Sequence, residues 1–547
     1  MKNRFVLPML AMAAAMCGTA HAANYYVSDC QAGASSGCVA GNDANTGLSA
    51  ASPWKTTAKV RAQFAGMLAG DQILFARGGA WSNASMDLMQ SLNATAAKPI
   101  VLDSYAPSWG GTARPILTEA RANMNLLSFN NSGAAVPDGG YIVRNLDLRG
   151  GGGGLWGIFA GGGVSDITVS NVNIEGFTIG IHCGLSNERI QLLNSTIYNN
   201  GSQGVLWGCN NSLIEGNTFD HNGYLSTEGR DHSIYINNEL TNAANVTVRN
   251  NRLLNNTVSL SGGVCKGVPL VVHGFTNGLT IENNLIYQAP GTSNSGCWGI
   301  AVDPGYDAGE GFSNVAIRGN TIVNVGGIGI GCASCVSPLI ENNVIVMEAG
   351  PEMVGIQIPD RSRGAGDAAD SGAVIRNNSI YFKSSTTYAQ GISFAPQNGS
   401  TAGSKIQVSS NLIYFGSTSS TDHQCFDTSG VSLANFVTFD YNLCYDASGN
   451  GRYSTAYTTL AAAKSAGFDA HGLSVNPLFA ATPSSSNNWS LALSANSPAI
   501  NAGAPTTSSL KDRLSILRST PDIGAFEYSA TGADTLAPAA PGGVAVQ

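Results

Sequence analysis

Short apolar phrases recur along residues 157–394, and within each phrase aliphatic residues alternate with other residues. The phrases are GIFA at 157, GIHC at 180, GVLW at 204, SIYI at 233, PLVV at 269, GIAV at 299, GIGI at 327, GIQI at 355 and GISF at 391. Alternation with a period of two is typical of β-strands, because successive side chains of a strand point to opposite faces. The phrases return every 23 to 36 residues, which predicts short strands in repeating units.

A second phrase follows most of these and contains an asparagine between two short alternating runs. RIQLLNSTIYNN at 189, LTIENNLIYQ at 279 and AVIRNNSIYFK at 373 show the form. Asparagine tolerates the left-handed backbone that such a turn needs. Asparagine side chains at equivalent positions of stacked units can also hydrogen-bond along a column. The sequence therefore predicts strand–turn–strand units that stack on one another.

Units of this kind contain no helix and cannot bury their apolar side alone, so they are stable only when stacked. A leucine-rich repeat would require a leucine framework and helices that the sequence lacks, and a β-sandwich would not repeat at this period. The predicted fold class is all-β, a single-stranded right-handed parallel β-helix with an N-terminal cap.

Five parts of the chain differ in composition and pattern. They are a signal peptide at 1–22, an N-terminal cap with the first rungs at 23–135, β-helix repeats at 136–445, C-terminal rungs with a cap at 446–528, and a linker-like disordered tail at 529–547. A short amphipathic helix is expected over Thr56–Leu68, where Val60, Phe64 and Leu68 share one face and would cover the open end of the first rung.

The first residues have the features of a secretory signal peptide. Lys2 and Arg4 precede an apolar run from Phe5 to Met16, and small residues follow as far as Ala22. We therefore expect cleavage near Ala22 and export from the cytoplasm. An uncleaved membrane anchor is the alternative, but the run is short for a bilayer, and no later run is apolar enough to span one.

Cysteine use agrees with export. Ten cysteines follow the predicted leader, an even number that favours disulfides. Proximity in sequence suggests the pairs Cys30–Cys38, Cys183–Cys209, Cys265–Cys297, Cys332–Cys335 and Cys425–Cys444. A zinc site at CASC, residues 332–335, is the alternative, but no second ligand pair has a matching spacing.

The charge balance restricts the partners. The chain has a net charge of −8, and removal of a leader with two basic and no acidic residues would make it −10. An acidic protein is a poor partner for nucleic acid. It also repels a polyanion unless a basic patch or a bound cation offsets its charge.

Two terminal segments resemble a known superfamily. The segment from Tyr25 to Asn83 contains GNDANTGLSAASPWKTTAKV and LAGDQILFARGGAWSN, and the segment from Ser497 to Tyr528 contains SPAINAGA and DIGAFEY. Both are similar to the terminal segments of secreted pectate-lyase-like β-helix proteins. The resemblance implies a right-handed β-helix that acts on polysaccharides, but the superfamily includes lyases, glycoside hydrolases, epimerases and non-enzymes.

Polar side chains concentrate on three consecutive predicted rungs. The residue after each inward aliphatic residue points outward, and this column contains His182, Tyr235 and Gln357 as candidate functional groups. Two residues further on, Asn237, His273 and Asp303 are expected in one row. At the equivalent positions of earlier rungs the chain has glycine, which would leave room for a bound glycan: Gly161, Gly184 and Gly208.

Insertions beside this row bring further candidates. The candidate catalytic residues are Tyr235, His273, Lys266, Arg230, Asp231 and His232. The carboxylates of DPGYDAGEG, Asp303, Asp307 and Glu310, suit a calcium ion, because that ion prefers oxygen ligands. Arg361 and Arg363 lie a few rungs on and would bind substrate with His182, Asn237 and Gln357. Each residue also has an ordinary interpretation as a turn, a strand end or a packing group.

Three functions remain open at this point. A lyase acting by β-elimination on an acidic polysaccharide would use His273 or Lys266 as base, Tyr235 as acid, and Arg230, Lys266 or calcium to neutralise the uronate carboxylate. A glycoside hydrolase would use two carboxyl groups, such as Asp231 and Asp303. A non-catalytic surface β-helix, such as an adhesin, is the third. We expect a secreted monomer with no organic cofactor, and the lyase is the preferred prediction.

Overall fold

The computed structural model describes residues 22–130, 138–225, 231–260, 262–306, 309–348, 352–359, 364–383, 388–394, 405–416 and 423–529. Arg230, Asp307, Arg361 and Arg363 lie outside these residues, as do most of the predicted signal peptide and the predicted tail. The described part of the chain contains no helix with the length and hydropathy that a membrane crossing requires.

The chain coils into rungs whose strands stack in three columns, called sheets 1, 2 and 3 below, of which the first two are joined into one sheet of 26 strands. Every pairing between these strands is parallel, as the repeat predicts. Sheet 1 comprises Met86–Met89, Leu127–Phe129, Trp156–Ala160, Ile179–Cys183, Gln203–Trp207, the first parts of His232–Arg249 and Leu270–Glu282, Ile300–Val302, Ile328–Cys332, Glu352–Gln357, Tyr388–Ser393, His423–Asp427 and Arg452–Ser454. Sheet 2 comprises Asn24–Val27, Gln72–Ala76, Ile100–Tyr105, Asp138–Arg144, Val164–Ser170, Gln191–Leu193, Ser212–Glu215, the second parts of those two long strands, Gly311–Arg318, Cys335–Val336, Leu339–Glu341, Val374–Arg376, Ile406–Ser409 and Phe436–Asp440. Sheet 3 comprises Ala80–Ser82, Ile116–Thr118, Asp147–Arg149, Asn173–Glu175, Thr196–Tyr198, Thr218–Asp220, Arg252–Leu254, Leu285–Tyr287, Thr321–Val323, Val344–Met347, Ser379–Phe382, Leu412–Phe415 and Leu443–Asp446.

Two strands are far longer than the rest. His232–Arg249 and Leu270–Glu282 have 18 and 13 residues, so they run continuously from sheet 1 into sheet 2 and join the two sheets. They lie side by side, with Asn237 opposite His273. The rungs with the longest strands are therefore the rungs that carry the predicted polar row.

The inward columns of sheet 1 follow the predicted repeat as far as Ile300 and then depart from it. Ile300 pairs with Ile330, not with Ile328, and Ile330 pairs with Ile356. The predicted register was therefore wrong at this rung, and Gly331 rather than Gly329 stands between Ala301 and Gln357. A shift of two residues keeps the same side chains inward, so alternation alone could not reveal it.

A column of buried asparagines runs along the turns between sheets 2 and 3, as the second phrase predicts. From Asn251 onward, each side-chain oxygen accepts from the backbone N–H of the asparagine one rung earlier, at 3.0–3.1 Å. The members are Asn217, Asn251, Asn284, Asn320, Asn343, Asn378, Asn411 and Asn442. Ser195 continues the column at one end and Asp469 at the other. The residue before each member has a positive φ, as Asn250 and Asn283 do, which explains the recurrent Asn-Asn pair.

An outward column of sheet 2 alternates in charge from rung to rung. Its members pair in the order Glu215, Arg249, Glu282, Arg318, Glu341 and Arg376. Each neighbour is of opposite sign, and guanidinium–carboxylate contacts of 2.8–2.9 Å link three of the adjacent pairs. Opposite charges directly across a pair of strands stabilise the pairing modestly.

The N-terminal helix is shorter than predicted. It spans Thr57–Phe64, with Thr56 as its N-cap, and buries Val60 and Phe64 in the main core. Leu68 lies beyond the helix and is 40% exposed, while Met67 is buried in its place. The predicted helical spacing failed there because the chain turns at Gly66 and Gly70. The role of this helix as a cap stays a prediction.

The segment after the last strands folds back along sheet 3. Trp489, Leu491 and Phe526 pack on outward residues of this sheet such as Val344 and Tyr381. The guanidinium of Arg518 binds the carboxylate of Glu527 inside the same region, and Arg513 donates to Thr321 at 2.7 Å. In this half of sheet 3 both faces of the strands are consequently buried.

All five predicted disulfides are present in the structure. They are Cys30–Cys38, Cys183–Cys209, Cys265–Cys297, Cys332–Cys335 and Cys425–Cys444. Their Cα atoms lie 5.3–6.1 Å apart, the usual separation for a disulfide. Cys332 and Cys335 therefore bond to each other and do not form the alternative zinc site.

Candidate functional site

The predicted polar row forms on the outside of sheet 1, where the two longest strands lie side by side. Asn237 and His273 occupy paired positions. Asp303 directly follows the next strand and donates its backbone N–H to the Val272 carbonyl at 3.0 Å. Asn237, His273 and Asp303 therefore lie on successive rungs, as the alternation predicts.

His273 is held in one orientation by Asp303. Its Nδ1 lies 2.6 Å from the Asp303 backbone carbonyl oxygen and 3.2 Å from Oδ1 of the same residue. A carbonyl oxygen can only accept, so Nδ1 carries the proton and Nε2 keeps its lone pair. The Asp303 carboxylate is fully buried next to the ring, where it would stabilise a positive imidazolium.

Two tyrosines flank this histidine. The ring of Tyr235 lies edge-on to His273 at 5.5 Å between centroids, and the ring of Tyr306 does so at 5.9 Å. The two tyrosine hydroxyls hydrogen-bond to each other. All three rings are partly buried and keep some surface that a ligand can reach, 12% for the His273 side chain. Tyr235, His273 and Tyr306 together form the candidate catalytic cluster, called the catalytic cluster below.

The sequence pattern did not predict Tyr306 as a residue of the site. It lies in the insertion DPGYDAGEG, which has no counterpart on other rungs, so the repeat gave no position for its side chain. A tyrosine inside an insertion next to a polar row was the available signal.

Glu310 shapes the loop that carries Tyr306. Its carboxylate accepts the backbone N–H groups of Gly274, Gly305 and Tyr306, and its own N–H donates to Asp367 at 2.7 Å. Gly305 in turn lies against the His273 ring, where a Cβ would come within 2.5 Å of the ring. Glu310 thus fixes the loop over one side of His273.

The donor set fits calcium poorly. Both Glu310 oxygens are occupied by backbone N–H groups, and Glu310 is 1% exposed. The described residues contain no group of three or more histidine, cysteine or acidic side chains arranged to hold a metal ion. Asp307 lies outside those residues. The predicted role of Glu310 as a ligand does not agree with its hydrogen bonds, and the calcium site stays a prediction.

The Asp231–His232 pair lies deeper than expected. Nδ1 of His232 is 3.0 Å from the Val268 carbonyl, and the Asp231 carboxylate accepts from the Ser202 hydroxyl at 2.7 Å. Both residues are buried. They hold neighbouring rungs together and support Tyr235, whose ring centroid lies 5.2 Å from that of His232.

The remaining candidates lie on other rungs or in a loop, and two of them are separated from Tyr235 by at least one strand. Lys266 is exposed and follows Cys265, whose disulfide to Cys297 fixes that loop. Gln357 lies in the outward column but is only 4% exposed. His182 is two rungs before Tyr235 in the same column.

The glycine column does not form a trough. A Cβ on Gly161 would come within 2.8 Å of the Asn130 amide, and a Cβ on Gly208 within 2.8 Å of the Leu185 side chain. These glycines allow neighbouring groups to pack on the strand ends, so the predicted space for a glycan was wrong at this place.

Comparison with known proteins agrees with this architecture. Residues 119–286 match the family model described as a right handed beta helix region. The chain folds as a right-handed parallel β-helix. The predicted resemblance to the pectate-lyase-like β-helix superfamily is thereby confirmed in its fold. No curated protein sequence matches the chain.

Several solved structures are similar at low identity. A GH136 lacto-N-biosidase from Eubacterium ramulus is 14% identical with a TM-score of 0.41, over 74% of this β-helix protein and 67% of that chain. Pectate lyase Pel9A is 14% identical with a TM-score of 0.33, over 93% and 98%. An alginate lyase from Paenibacillus sp. str. FPU-7 is 14% identical with a TM-score of 0.34, over 63% and 97%.

Proposed function

We propose that this β-helix protein is a polysaccharide lyase that cleaves a uronate-containing glycan by β-elimination at the catalytic cluster. The observation that carries the proposal is the arrangement of His273, with Nδ1 bound to Asp303 and two tyrosine rings at its edges. This arrangement supplies a base and an acid on one small surface.

His273 is the proposed base. Its Nε2 keeps a lone pair because Nδ1 donates to Asp303. In β-elimination this nitrogen takes the proton from C5 of the uronate, and the electron pair of that bond forms a double bond between C4 and C5. The buried Asp303 carboxylate stabilises the imidazolium that results.

A tyrosine hydroxyl is the proposed acid. The bond between C4 and the glycosidic oxygen breaks in the same process, and the leaving oxygen takes a proton from Tyr235. The Tyr306 hydroxyl, hydrogen-bonded to that of Tyr235, stabilises the phenolate that remains. One proton is thus removed and one delivered, and no co-reactant is needed.

The uronate carboxylate needs neighbours that lower its charge. Asn237, next to His273 in register, offers an amide donor, and Lys266 offers a cation from an exposed loop. Arg230, outside the described residues, precedes Asp231 in the chain and is the second candidate cation.

A hydrolase would require two accessible carboxyl groups on either side of the scissile bond. Asp303 and Glu310 are 0% and 1% exposed, and Asp231 is 8% exposed. Within the described residues of the site, the groups with accessible surface are the rings of the catalytic cluster, Asn237 and Lys266, and none of them is a carboxyl group. This burial favours elimination over hydrolysis.

A product assay tests the proposal. Purified protein is incubated with alginate, polygalacturonate, glucuronate-containing heteropolysaccharides and neutral polysaccharides, and both ultraviolet absorbance and reducing ends are followed. A lyase produces new reducing ends together with an absorbing C4=C5 double bond. Reducing ends without absorbance would contradict elimination and support hydrolysis.

A further inference from the structure

Apolar and aromatic side chains form an outward column on sheet 1 that leads to the catalytic cluster. Phe159 pairs with His182, His182 with Leu206, and Leu206 with Tyr235. Trp156 begins the first of these strands, and its ring centroid lies 4.6 Å from Phe159 and 4.7 Å from His182. We call Trp156, Phe159, His182 and Leu206 the aromatic stripe.

The aromatic stripe is accessible and uncharged. Each of its four side chains is half-buried and keeps part of its surface exposed. The neighbouring positions carry Ile179 and Gln203 on one side and Gly184 and Gly208 on the other, none of which is ionisable. A run of glycines, residues 150–154, precedes Leu155 and the stripe, so these five positions carry no side chain beside it.

His182 adds no charge to this surface. Burial among aromatic rings lowers the pKa of His182 to about 4, so the ring is neutral at neutral pH. Its Nδ1 is buried without a hydrogen-bond partner among the described residues, which suits a neutral ring and disfavours a protonated one. His182 therefore adds an uncharged aromatic ring beside Trp156 and Phe159.

The dimensions suit a carbohydrate chain. From Phe159 to Tyr235 there are three strand spacings, about 14 Å, which is the length of a few sugar rings. One face of a pyranose ring carries mainly C–H groups, and such a face gains by covering aromatic surface. A carboxylate or sulfate placed on the same surface would lose hydration, and neither the stripe nor its neighbouring positions offer a cationic side chain to offset that loss.

We propose that the aromatic stripe binds uncharged sugar residues, so that the substrate is a heteropolysaccharide with neutral sugars next to the uronate at the catalytic cluster. This inference rests on the proposed function, because continuity with Tyr235 identifies the occupant as the same glycan. The net charge of −8 supports the same inference, because an acidic protein has no favourable long-range attraction to a chain that consists of uronates alone.

Binding in a variant without turnover tests the inference. The background is His273→Ala, and retardation is measured by affinity gel electrophoresis in gels that contain xyloglucan, galactomannan, gellan, alginate or polygalacturonate. We expect retardation by gellan or a neutral polysaccharide. Trp156→Ala should weaken that binding by about tenfold, the loss of a stacking contact with its share of buried area.

The matched control is Trp109→Ala, which removes another half-buried tryptophan in the loop after Ile100–Tyr105, and it should leave retardation unchanged. Retardation by alginate or polygalacturonate alone, by none of the five polymers, or equally with and without Trp156 would overturn the inference. The proposed lyase activity is scored separately by absorbance with the unmodified protein, so either proposal can fail without the other.

Discussion

At the scale of single residues, the site depends on which polar groups are buried and which stay accessible. Asp303 and Glu310 are acidic, but the fold surrounds them and uses them to orient His273 and the loop of Tyr306. The functional groups of the catalytic cluster that keep exposed surface are the imidazole of His273 and the phenols of Tyr235 and Tyr306. Asp303 and Glu310 therefore act as positioning residues.

The first prediction concerns the catalytic cluster. His273→Ala and Tyr235→Phe should each lower kcat by at least about 10²-fold, because each removes a proposed proton-transfer group. The change is measured by the initial rate of absorbance on the substrate identified in the product assay. The melting temperature should change little, because both side chains point outward from intact core columns at Ile234 and Leu270.

A matched control for this prediction is Tyr198→Phe, which removes an outward hydroxyl on sheet 3, away from the cluster. Its activity should equal that of the unmodified protein. If His273→Ala and Tyr235→Phe both keep near-full activity, the catalytic centre lies elsewhere on the β-helix.

At the scale of elements, each rung is specified by a small set of local rules. Alternation places the core, a left-handed residue makes the turn, and a buried asparagine links that turn to its neighbours. Because the same rules apply on every rung, the stabilisation between neighbouring rungs adds along the column. Polar contacts as well as apolar contacts hold the rungs together.

The second prediction tests the asparagine column at its middle. The Asn284 side chain donates to the Val248 carbonyl and to Asn320, and accepts from Asn251, all inside the core. Asn284→Ala leaves these buried groups unpaired, so it should lower the free energy of unfolding by about 2 kcal/mol or more. Chemical denaturation measures the loss.

The control is the adjacent Asn283→Gly. Asn283 is exposed and has a φ of 56°, which glycine adopts easily, so its replacement should change stability by less than about 0.5 kcal/mol. Equal losses for Asn283→Gly and Asn284→Ala would contradict a special role of the buried column.

The third prediction concerns the alternating charges of sheet 2. Arg249 lies between Glu215 and Glu282, so Arg249→Glu places three carboxylates on successive rungs. We expect a loss of stability of about 1 kcal/mol that becomes smaller in high salt. Arg249→Gln, the control, removes attraction without adding repulsion, so its effect should be smaller and depend less on salt.

Most of the strands, inward columns and asparagine turns could be predicted from the sequence, because they follow local patterns that repeat. The row of Asn237 and His273 follows from the same alternation. The register after Ile300 could not be predicted, since Ile328 and Ile330 satisfy the pattern equally. Nor could the burial of Glu310, which depends on backbone groups of another rung.

At the scale of the whole molecule, several buried carboxyl groups titrate at unusual pH. Burial raises the pKa of Asp469, at the end of the asparagine column, to about 6. Burial likewise raises the pKa of Glu527, in the segment that covers sheet 3, to about 7. Both groups hold their protons more tightly in the folded protein than in the unfolded chain.

The fourth prediction is a pH dependence of stability. Because the folded protein binds more protons at these two sites, their contribution to stability is greatest at acidic pH and is lost as the pH rises through about 6 to 7. The double variant Asp469→Asn and Glu527→Gln lacks this loss. Its melting temperature relative to the unmodified protein should therefore rise between pH 5 and pH 8.

Measurement is by thermal unfolding at constant ionic strength. The control, Asp166→Asn, removes a partly exposed carboxyl group whose pKa is lowered by Arg189. It titrates below this range, so its melting temperature relative to the unmodified protein should not change between pH 5 and pH 8. A flat difference for the double variant would contradict the prediction.

The segment that covers sheet 3 has a consequence for how the protein is made. Val323, Val344 and Tyr381 point outward from their rungs and are hidden by Trp489 and Phe526, which lie more than 100 positions later in the chain. While the chain is being made, these apolar surfaces have nothing to cover them. A chain that ends before this segment therefore keeps an exposed apolar surface on sheet 3. Chaperones and proteases can bind that surface, so they can distinguish incomplete chains from complete ones.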